Sequence, residues 1–149
     1  MFVCTGNSCR SAMAEAILRK RLDELGKKGI EVRSAGVRAL SGLPPSYETI
    51  EVMKEEGVDV SGFRTKKITA EMIKKSDLIL TMEEAHKDEI LSLMPEAVSK
   101  TYLLKEYKNP DAFGPMGSGV DDPIGKTVGE YRNIRDEIKK EIERFAGGL

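Results

Sequence analysis

The chain has 149 residues, of which 40% are hydrophobic and 33% are charged, and its formal net charge is −1. This length and composition predict one folded domain spanning residues 1–149, and the near-neutral charge gives no support for nucleic-acid binding. We expect no membrane segment and no signal peptide, because no apolar run is long enough. Two cysteines in one short segment and a single histidine favour neither a disulfide framework nor a zinc site, so we expect a cytoplasmic protein without a metal or other cofactor. A monomer is the default expectation.

Short apolar runs alternate with helical patterns along the chain, an order typical of an α/β fold. The pattern predicts strands at 1–4, 30–35, 77–81 and 101–104. It predicts helices at 11–28, 46–56, 69–76, 83–94 and 127–145, with Ser46 and Thr69 as N-caps. Glycine and proline are frequent at 108–120, which is predicted to be a loop. We therefore expect a four-stranded parallel sheet with helices on both faces.

The most informative segment is CTGNSCRS, residues 4–11, which joins the first strand to the first helix. Gly6 and Asn7 tolerate positive φ, so the segment can form a tight loop whose backbone N–H groups converge at a helix N-terminus. Such a loop binds a phosphate or another oxyanion, and Arg10 adds a planar, permanently charged clamp for two of its oxygens. The loop amides, the helix dipole and Arg10 also favour the thiolate of Cys4. We therefore predict that Cys4 is a nucleophile that faces a bound oxyanion.

The rest of the loop is expected to surround that anion. These phosphate-binding residues are Thr5, Gly6, Asn7, Ser8, Cys9 and Ser11. Asn7 is expected to fix the loop through its side-chain amide, and Ser11 can cap the helix, donate a hydrogen bond to the thiolate, or do both. Because Cys4 and Cys9 share one tight loop, we also expect that oxidation joins them in a reversible disulfide that protects the nucleophile.

A cysteine nucleophile requires a group that protonates the leaving group and later activates a water, and one carboxylic acid can do both. Asp122 is the best candidate, because it precedes Pro123 at the end of the predicted loop, where it can swing over the pocket. Asp111 in the same loop is the alternative. His86 lies in the polar segment EEAHKDEI and is expected to be solvated, without a catalytic role.

Together these segments resemble the low-molecular-weight protein tyrosine phosphatase family over nearly the whole chain. FVCTGNSCRSAMAE at 2–15 is similar to the family's Cys-x5-Arg-Ser loop and opening helix, and RSAG, SDLILTM and Asp-Pro follow in the family's order. The resemblance implies a four-stranded parallel sheet, no metal, and a phosphocysteine intermediate formed on phosphorylated protein substrates. It makes Cys4 the nucleophile, Arg10 the phosphoryl clamp and Asp122 the general acid and base.

The residues after Asp-Pro bear on the substrate. Tyrosine-specific members resemble one another in having aromatic residues there, which line a slot for a phenyl ring, whereas Ile124 and Gly125 form the pocket wall in this chain. The bacterial protein arginine phosphatases, a branch of the family, are similar to this chain at these two positions and at Thr5. Ser8 is a small hydroxylated residue where that branch usually has threonine. The resemblance therefore slightly favours phosphoarginine over phosphotyrosine.

Three alternatives come from other classes of protein. Thioredoxin-coupled arsenate reductases resemble this chain in the loop, but they need further cysteines, and this chain has none after Cys9. A non-catalytic anion-binding module predicts that a catalytic residue is missing, yet Cys4, Arg10 and Asp122 are all present. A nucleotide-binding loop is weaker still, because the Gly-Lys-Ser/Thr ending of that motif is absent from the segment.

Overall fold

The structure is a computed structural model that describes residues 1–112 and 119–149. In these residues, one parallel sheet contains four short strands: β1 (Phe2–Cys4), β2 (Ser34–Gly36), β3 (Ile79–Thr81) and β4 (Thr101–Leu103). The strands lie in the order β2-β1-β3-β4. The predicted four-stranded parallel sheet is therefore confirmed. The middle of the predicted loop at 108–120 lies outside the described residues.

The strand predicted at 30–35 begins later in the structure. Its first paired residue is Ser34, which lies opposite Phe2, the first residue of β1. The residues before Ser34 therefore precede the paired region. Of the apolar residues before Ser34, Val32 is buried and Ile30 is exposed.

Helices connect and flank the strands throughout the described ranges. They are α1 (Arg10–Glu24), α2 (Tyr47–Glu55), α3 (Ala70–Lys75), α4 (Glu84–Leu93), a short 3-10 helix (Pro95–Lys100) and α5 (Val128–Ala146). The predicted N-caps Ser46 and Thr69 are confirmed, because each hydroxyl accepts the backbone N–H three residues further on. The first helix ends before the predicted boundary because Gly26 adopts a φ of 65°, the left-handed conformation that commonly ends helices.

Two apolar cores cover the two faces of the sheet, because side chains alternate between faces along a strand. Phe2 and Leu80 lie in the core formed with α1, α2 and α5, whereas Val3 and Ile79 lie in the core formed with α3 and α4. The prediction of helices on both faces is therefore confirmed. None of the helices in the described ranges is long and apolar enough to cross a membrane.

The parallel arrangement determines where a ligand can bind. All four strands end at the same edge of the sheet, and open α/β sheets bind ligands beyond that edge. Cys4 is the last residue of β1, one of the two central strands, so it lies at this edge beside the residues that follow β2 and β3.

Candidate active site

The CTGNSCRS segment forms a tight turn between β1 and α1. Asn7 adopts the left-handed conformation there, with a φ of 57°, whereas Gly6 does not use its conformational freedom in this way. The Asn7 side chain is completely buried and ties the loop to its surroundings. Its Nδ2 donates to Ser11 Oγ at 2.8 Å and to Ser34 Oγ at 2.9 Å, and its Oδ1 accepts from the backbone N–H of Lys66 at 2.9 Å. These contacts fix the loop, as its residue type predicts.

The Cys4 thiol lies at the bottom of this loop and is 2% exposed. Its Sγ accepts from the Asn7 backbone N–H at 3.3 Å and lies 2.9 Å from Ser11 Oγ. Since Ser11 Oγ already accepts from Asn7 Nδ2, its own proton can be directed to the sulfur. Burial raises the pKa of the Cys4 thiol, and the hydrogen bond from Ser11 and the charge of Arg10 act in the opposite direction. The loop contacts therefore favour the thiolate as expected, but burial outweighs them.

A buried polar chain continues from the loop to the surface. Ser34 Oγ accepts from Asn7 and donates to the carboxylate of Glu15, which is itself buried. Glu15 forms an ion pair with Arg19 at 2.8 Å, and the Arg19 side chain is largely exposed. Sequence analysis did not identify Ser34 or Glu15. Their role depends on the pairing of β2 with β1, which places Ser34 beside the loop.

The Arg10 guanidinium is 2% exposed and is held on several sides. Its Nη1 donates to the carbonyl of Val120 at 2.7 Å and lies 3.1 Å from Glu83 Oε1. Its Nη2 lies 3.6 Å from Asp122 Oδ2 and 3.5 Å from Thr5 Oγ1. Arg10 and Asp122, predicted separately, are therefore brought together. Glu83 is a further member of the site that sequence analysis missed.

The two candidate acids lie in different surroundings. Asp122 is partly exposed, and its Oδ1 accepts from the backbone N–H of Ile124 at 3.1 Å, which leaves Oδ2 facing Arg10. Asp111 is in an exposed turn, where its backbone N–H donates to Asn109 Oδ1 at 3.3 Å. Of these two carboxylates, only that of Asp122 has a described contact with the loop, through Arg10. This arrangement supports the choice of Asp122 over Asp111.

The remaining predicted residues lie on different sides of the loop. Ser8 accepts the backbone N–H of Ser46 at 3.1 Å through its carbonyl. Cys9 is buried, and its Sγ lies 3.4 Å from Ser46 Oγ and 3.6 Å from Tyr131 OH, so it contacts the start of α2 and the side of α5.

The predicted pocket wall is open to solvent. The side chain of Ile124 is 58% exposed, and Gly125 adopts a φ of 78° in the turn that follows Asp122. The two residues that follow Asp122-Pro123 are thus an aliphatic side chain and a glycine, and neither provides an aromatic stacking surface.

The prediction that His86 is solvated is wrong. His86 is 2% exposed; its Nδ1 accepts the backbone N–H of Glu83 at 3.0 Å, and its Nε2 lies 2.9 Å from Thr5 Oγ1. The segment EEAHKDEI is polar, so its composition does not show that His86 lies on the buried side of the helix. The side chain of the third helical residue often accepts the backbone N–H of the residue that caps the helix, as His86 does from Glu83. This contact orients the imidazole so that Nε2 faces Thr5 in the loop.

Comparison with known proteins agrees with this geometry. Residues 1–149 match the model of the family described as low molecular weight phosphotyrosine protein phosphatase. A protein-arginine-phosphatase of Geobacillus stearothermophilus is 38% identical over 149 residues, which are 100% of this chain and 94% of that protein. The crystal structure of a low molecular weight protein tyrosine phosphatase from T. tengcongensis is 40% identical, with a TM-score of 0.89 over 99% of this chain and 97% of that one. An arsenate reductase of Staphylococcus aureus is 37% identical over 97% of this chain and 92% of its own length.

These matches define the class of protein. The loop that carries Cys4 and Arg10 lies at the carboxyl edge of a four-stranded parallel sheet, and the family match spans the whole chain. The chain belongs to the low molecular weight phosphotyrosine protein phosphatase family. Its relatives include phosphatases and an arsenate reductase.

Proposed function

We propose that the protein is a cysteine-dependent protein phosphatase in which Cys4 is the nucleophile, Arg10 the phosphoryl clamp and Asp122 the general acid and base. The observation that carries the proposal is the convergence of these three residues. Cys4 and Arg10 stand at the two ends of one tight loop, and the Asp122 carboxylate lies 3.6 Å from the Arg10 guanidinium. The name of the Geobacillus relative and the family match support the same chemistry.

The reaction has two steps. Cys4 Sγ attacks the phosphorus, the bond from phosphorus to the leaving atom breaks, and Asp122 gives its proton to that atom. Asp122, now a carboxylate, takes a proton from a water that attacks the phosphocysteine, which releases inorganic phosphate and restores the Cys4 thiolate. The Arg10 fork and the loop N–H groups stabilise the negative charge on the phosphoryl oxygens in both steps.

The pKa of Cys4 is relevant to the first step. Burial raises the pKa of this thiol, so the donors that face the sulfur have to stabilise the reactive thiolate. Ser11 Oγ and the Asn7 backbone N–H are those donors, and the Arg10 charge adds to them. The attack therefore depends on Ser11, the Asn7 backbone N–H and Arg10 as well as on Cys4 itself.

We propose that phosphoarginine is preferred over phosphotyrosine. This proposal is supported by Ile124 and Gly125, which follow Asp122-Pro123 where the tyrosine-specific enzymes that this chain resembles have aromatic residues, and by the exposure of the Ile124 side chain. In this reaction Asp122 protonates a guanidine nitrogen as the nitrogen–phosphorus bond breaks. We also propose that the protein acts as a monomer in the cytoplasm, where a reducing environment keeps Cys4 and Cys9 as free thiols.

The test is the ratio of kcat/KM on phosphoarginine and phosphotyrosine peptides of matched sequence, with Cys4→Ser as the blank. We expect a preference for phosphoarginine of at least about tenfold, which corresponds to about 1.4 kcal/mol of transition-state stabilisation. Asp122→Asn should lower kcat on both peptides, and Ile124→Tyr should shift the ratio towards phosphotyrosine. A ratio that favours phosphotyrosine in the wild type would overturn the substrate assignment, and no turnover of either peptide would overturn the phosphatase assignment.

The arsenate reductase alternative has its own experiment, since one relative carries that name. The chain has two cysteines, both in the loop, so it lacks the further thiols that would pass oxidation on to thioredoxin. We expect no arsenate-dependent oxidation of thioredoxin by the purified protein. Sustained oxidation in that assay would favour the reductase.

A further inference from the structure

We propose that His86 is a positioning residue for this site: it holds the hydroxyl of Thr5 so that the hydroxyl proton is directed at the bound phosphoryl group. The proposal rests on the phosphatase function proposed above and adds a side chain that lies far from the loop in sequence. It begins from the burial of His86, which is 2% exposed although its neighbours in the segment are charged.

The contacts of the imidazole determine where its proton lies. The backbone N–H of Glu83 can only donate, so Nδ1 of His86, 3.0 Å away, is the unprotonated acceptor. A neutral imidazole then carries its proton on Nε2, which lies 2.9 Å from Thr5 Oγ1. Burial and the charge of Arg10 lower the pKa of His86, which agrees with the neutral form. Glu83 Oε2 also faces Nε2, but at 3.5 Å it is farther than Thr5 Oγ1, so His86 donates to Thr5.

The Thr5 hydroxyl has one proton and two lone pairs. His86 Nε2 occupies one lone pair, and Arg10 Nη2, which has no acceptor capacity, faces the same oxygen at 3.5 Å. With donors on both sides, the Thr5 proton has to point to a third partner. Thr5 directly follows Cys4 and is partly exposed, so an oxyanion bound in the loop is an acceptor within reach of its hydroxyl.

His86 also has a structural role that an experiment must separate from the positioning role. Its Nδ1 satisfies a backbone N–H at the start of α4, and the residue that provides this N–H, Glu83, pairs with Arg10 at 3.1 Å. Two substitutions divide these roles. His86→Asn keeps an acceptor at the level of Nδ1 but has no donor at the level of Nε2. His86→Gln carries an N–H at the level of Nε2 but lacks the acceptor near the backbone.

The experiment measures kcat, KM and the inhibition constant for inorganic phosphate in the two His86 variants and in Thr5→Val and Thr5→Ser. We expect His86→Asn and Thr5→Val each to lower kcat/KM by about tenfold, the effect of one lost hydrogen bond to a charged group. The conservative changes His86→Gln and Thr5→Ser should recover most of the kcat/KM that His86→Asn and Thr5→Val respectively lose. The double variant that combines His86→Asn with Thr5→Val should be no worse than either single change, because both remove the same donor.

Three results would overturn the proposal. They are equal losses in His86→Gln and His86→Asn, unchanged kinetics in Thr5→Val, and a double variant whose loss is the product of the single losses. Thermal unfolding provides the structural control: His86→Gln should lower Tm more than His86→Asn, because it removes the acceptor at the start of α4.

The design also distinguishes a failure of this proposal from a failure of the proposed function. If the wild type turns over neither phosphopeptide, the phosphatase assignment fails. Calorimetric binding of inorganic phosphate then tests His86 and Thr5 without catalysis. Weaker phosphate binding in His86→Asn and Thr5→Val, with binding retained in His86→Gln and Thr5→Ser, supports the positioning role. Equal binding in all four variants overturns it.

Discussion

Ser11→Ala is the substitution that most directly tests how the buried Cys4 thiolate is stabilised. The Ser11 hydroxyl lies 2.9 Å from Cys4 Sγ and accepts a hydrogen bond from Asn7 Nδ2, so its own proton faces the sulfur. Burial raises the pKa of Cys4, and the loss of this donor raises it further. A hydrogen bond to a charged group contributes about 1.5–3 kcal/mol, so we expect kcat/KM near neutral pH to fall by about tenfold to a hundredfold.

The assay follows kcat/KM and the rate of iodoacetamide alkylation of Cys4 as functions of pH. In Ser11→Ala, both profiles should move to higher pH, because thiolate formation then requires a lower proton concentration. At pH values above the shifted transition, much of the alkylation rate should return. Recovery at high pH separates a change in thiolate population from a distorted loop, since a distorted loop would remain slow throughout.

Ser34→Ala is the matched control. It removes the other partner of Asn7 Nδ2, at 2.9 Å, and leaves the hydroxyl that faces the sulfur in place. We expect this variant to lose some stability but to keep the pH profile of Cys4. The reasoning is refuted if Ser11→Ala stays within about twofold of the wild type, or if the two serine variants shift the Cys4 profile equally.

Three other features of the site give measurable expectations. A Cβ on Gly36 would lie 2.6 Å from the carbonyl oxygen of Thr5, so Gly36→Ala should cost about 1–3 kcal/mol in the free energy of unfolding by urea denaturation and lower activity as well. Burial lowers the pKa of His86 below its ordinary value of 6.5, so as the pH falls the unfolded chain takes up a proton on this residue before the folded chain does. The free energy of unfolding should therefore decrease as the pH falls below about 6.5. In His86→Asn, this contribution to the pH dependence of the free energy of unfolding should be absent. After peroxide inactivation, a thiol reductant should restore the wild type but not Cys9→Ser, and equal recovery would contradict the disulfide between Cys4 and Cys9.

The parts of the fold that were predicted correctly depend on local signals. The caps at Ser46 and Thr69 need only a hydroxyl at the right distance from the next turn, and the structure has both. The start of the second strand depends on its pairing with β1, which begins at Ser34, and the sequence of the segment at 30–35 does not show where that pairing begins.

The candidate site divides in the same way. The residues of the loop share one short segment, so their proximity follows from the sequence alone. Asp122 was selected by its place beside a proline and by resemblance, and the structure brings it to Arg10 at 3.6 Å. Glu83 and His86 were missed because their role arises from tertiary contacts, which a polar helical pattern does not record.

The strand order explains where such missed residues are found. β1 has β2 on one side and β3 on the other, and parallel strands all end at the same edge. Residues just after β2 and β3 must therefore lie against the loop that follows β1. Gly36, at the end of β2, touches the loop from one side, while Glu83 and His86, soon after β3, hold Arg10 and Thr5 from the other. The strand order therefore identifies the segments after β2 and β3 as neighbours of the loop. A histidine in such a segment, as His86 is here, is a candidate member of the site even when the residues around it are polar.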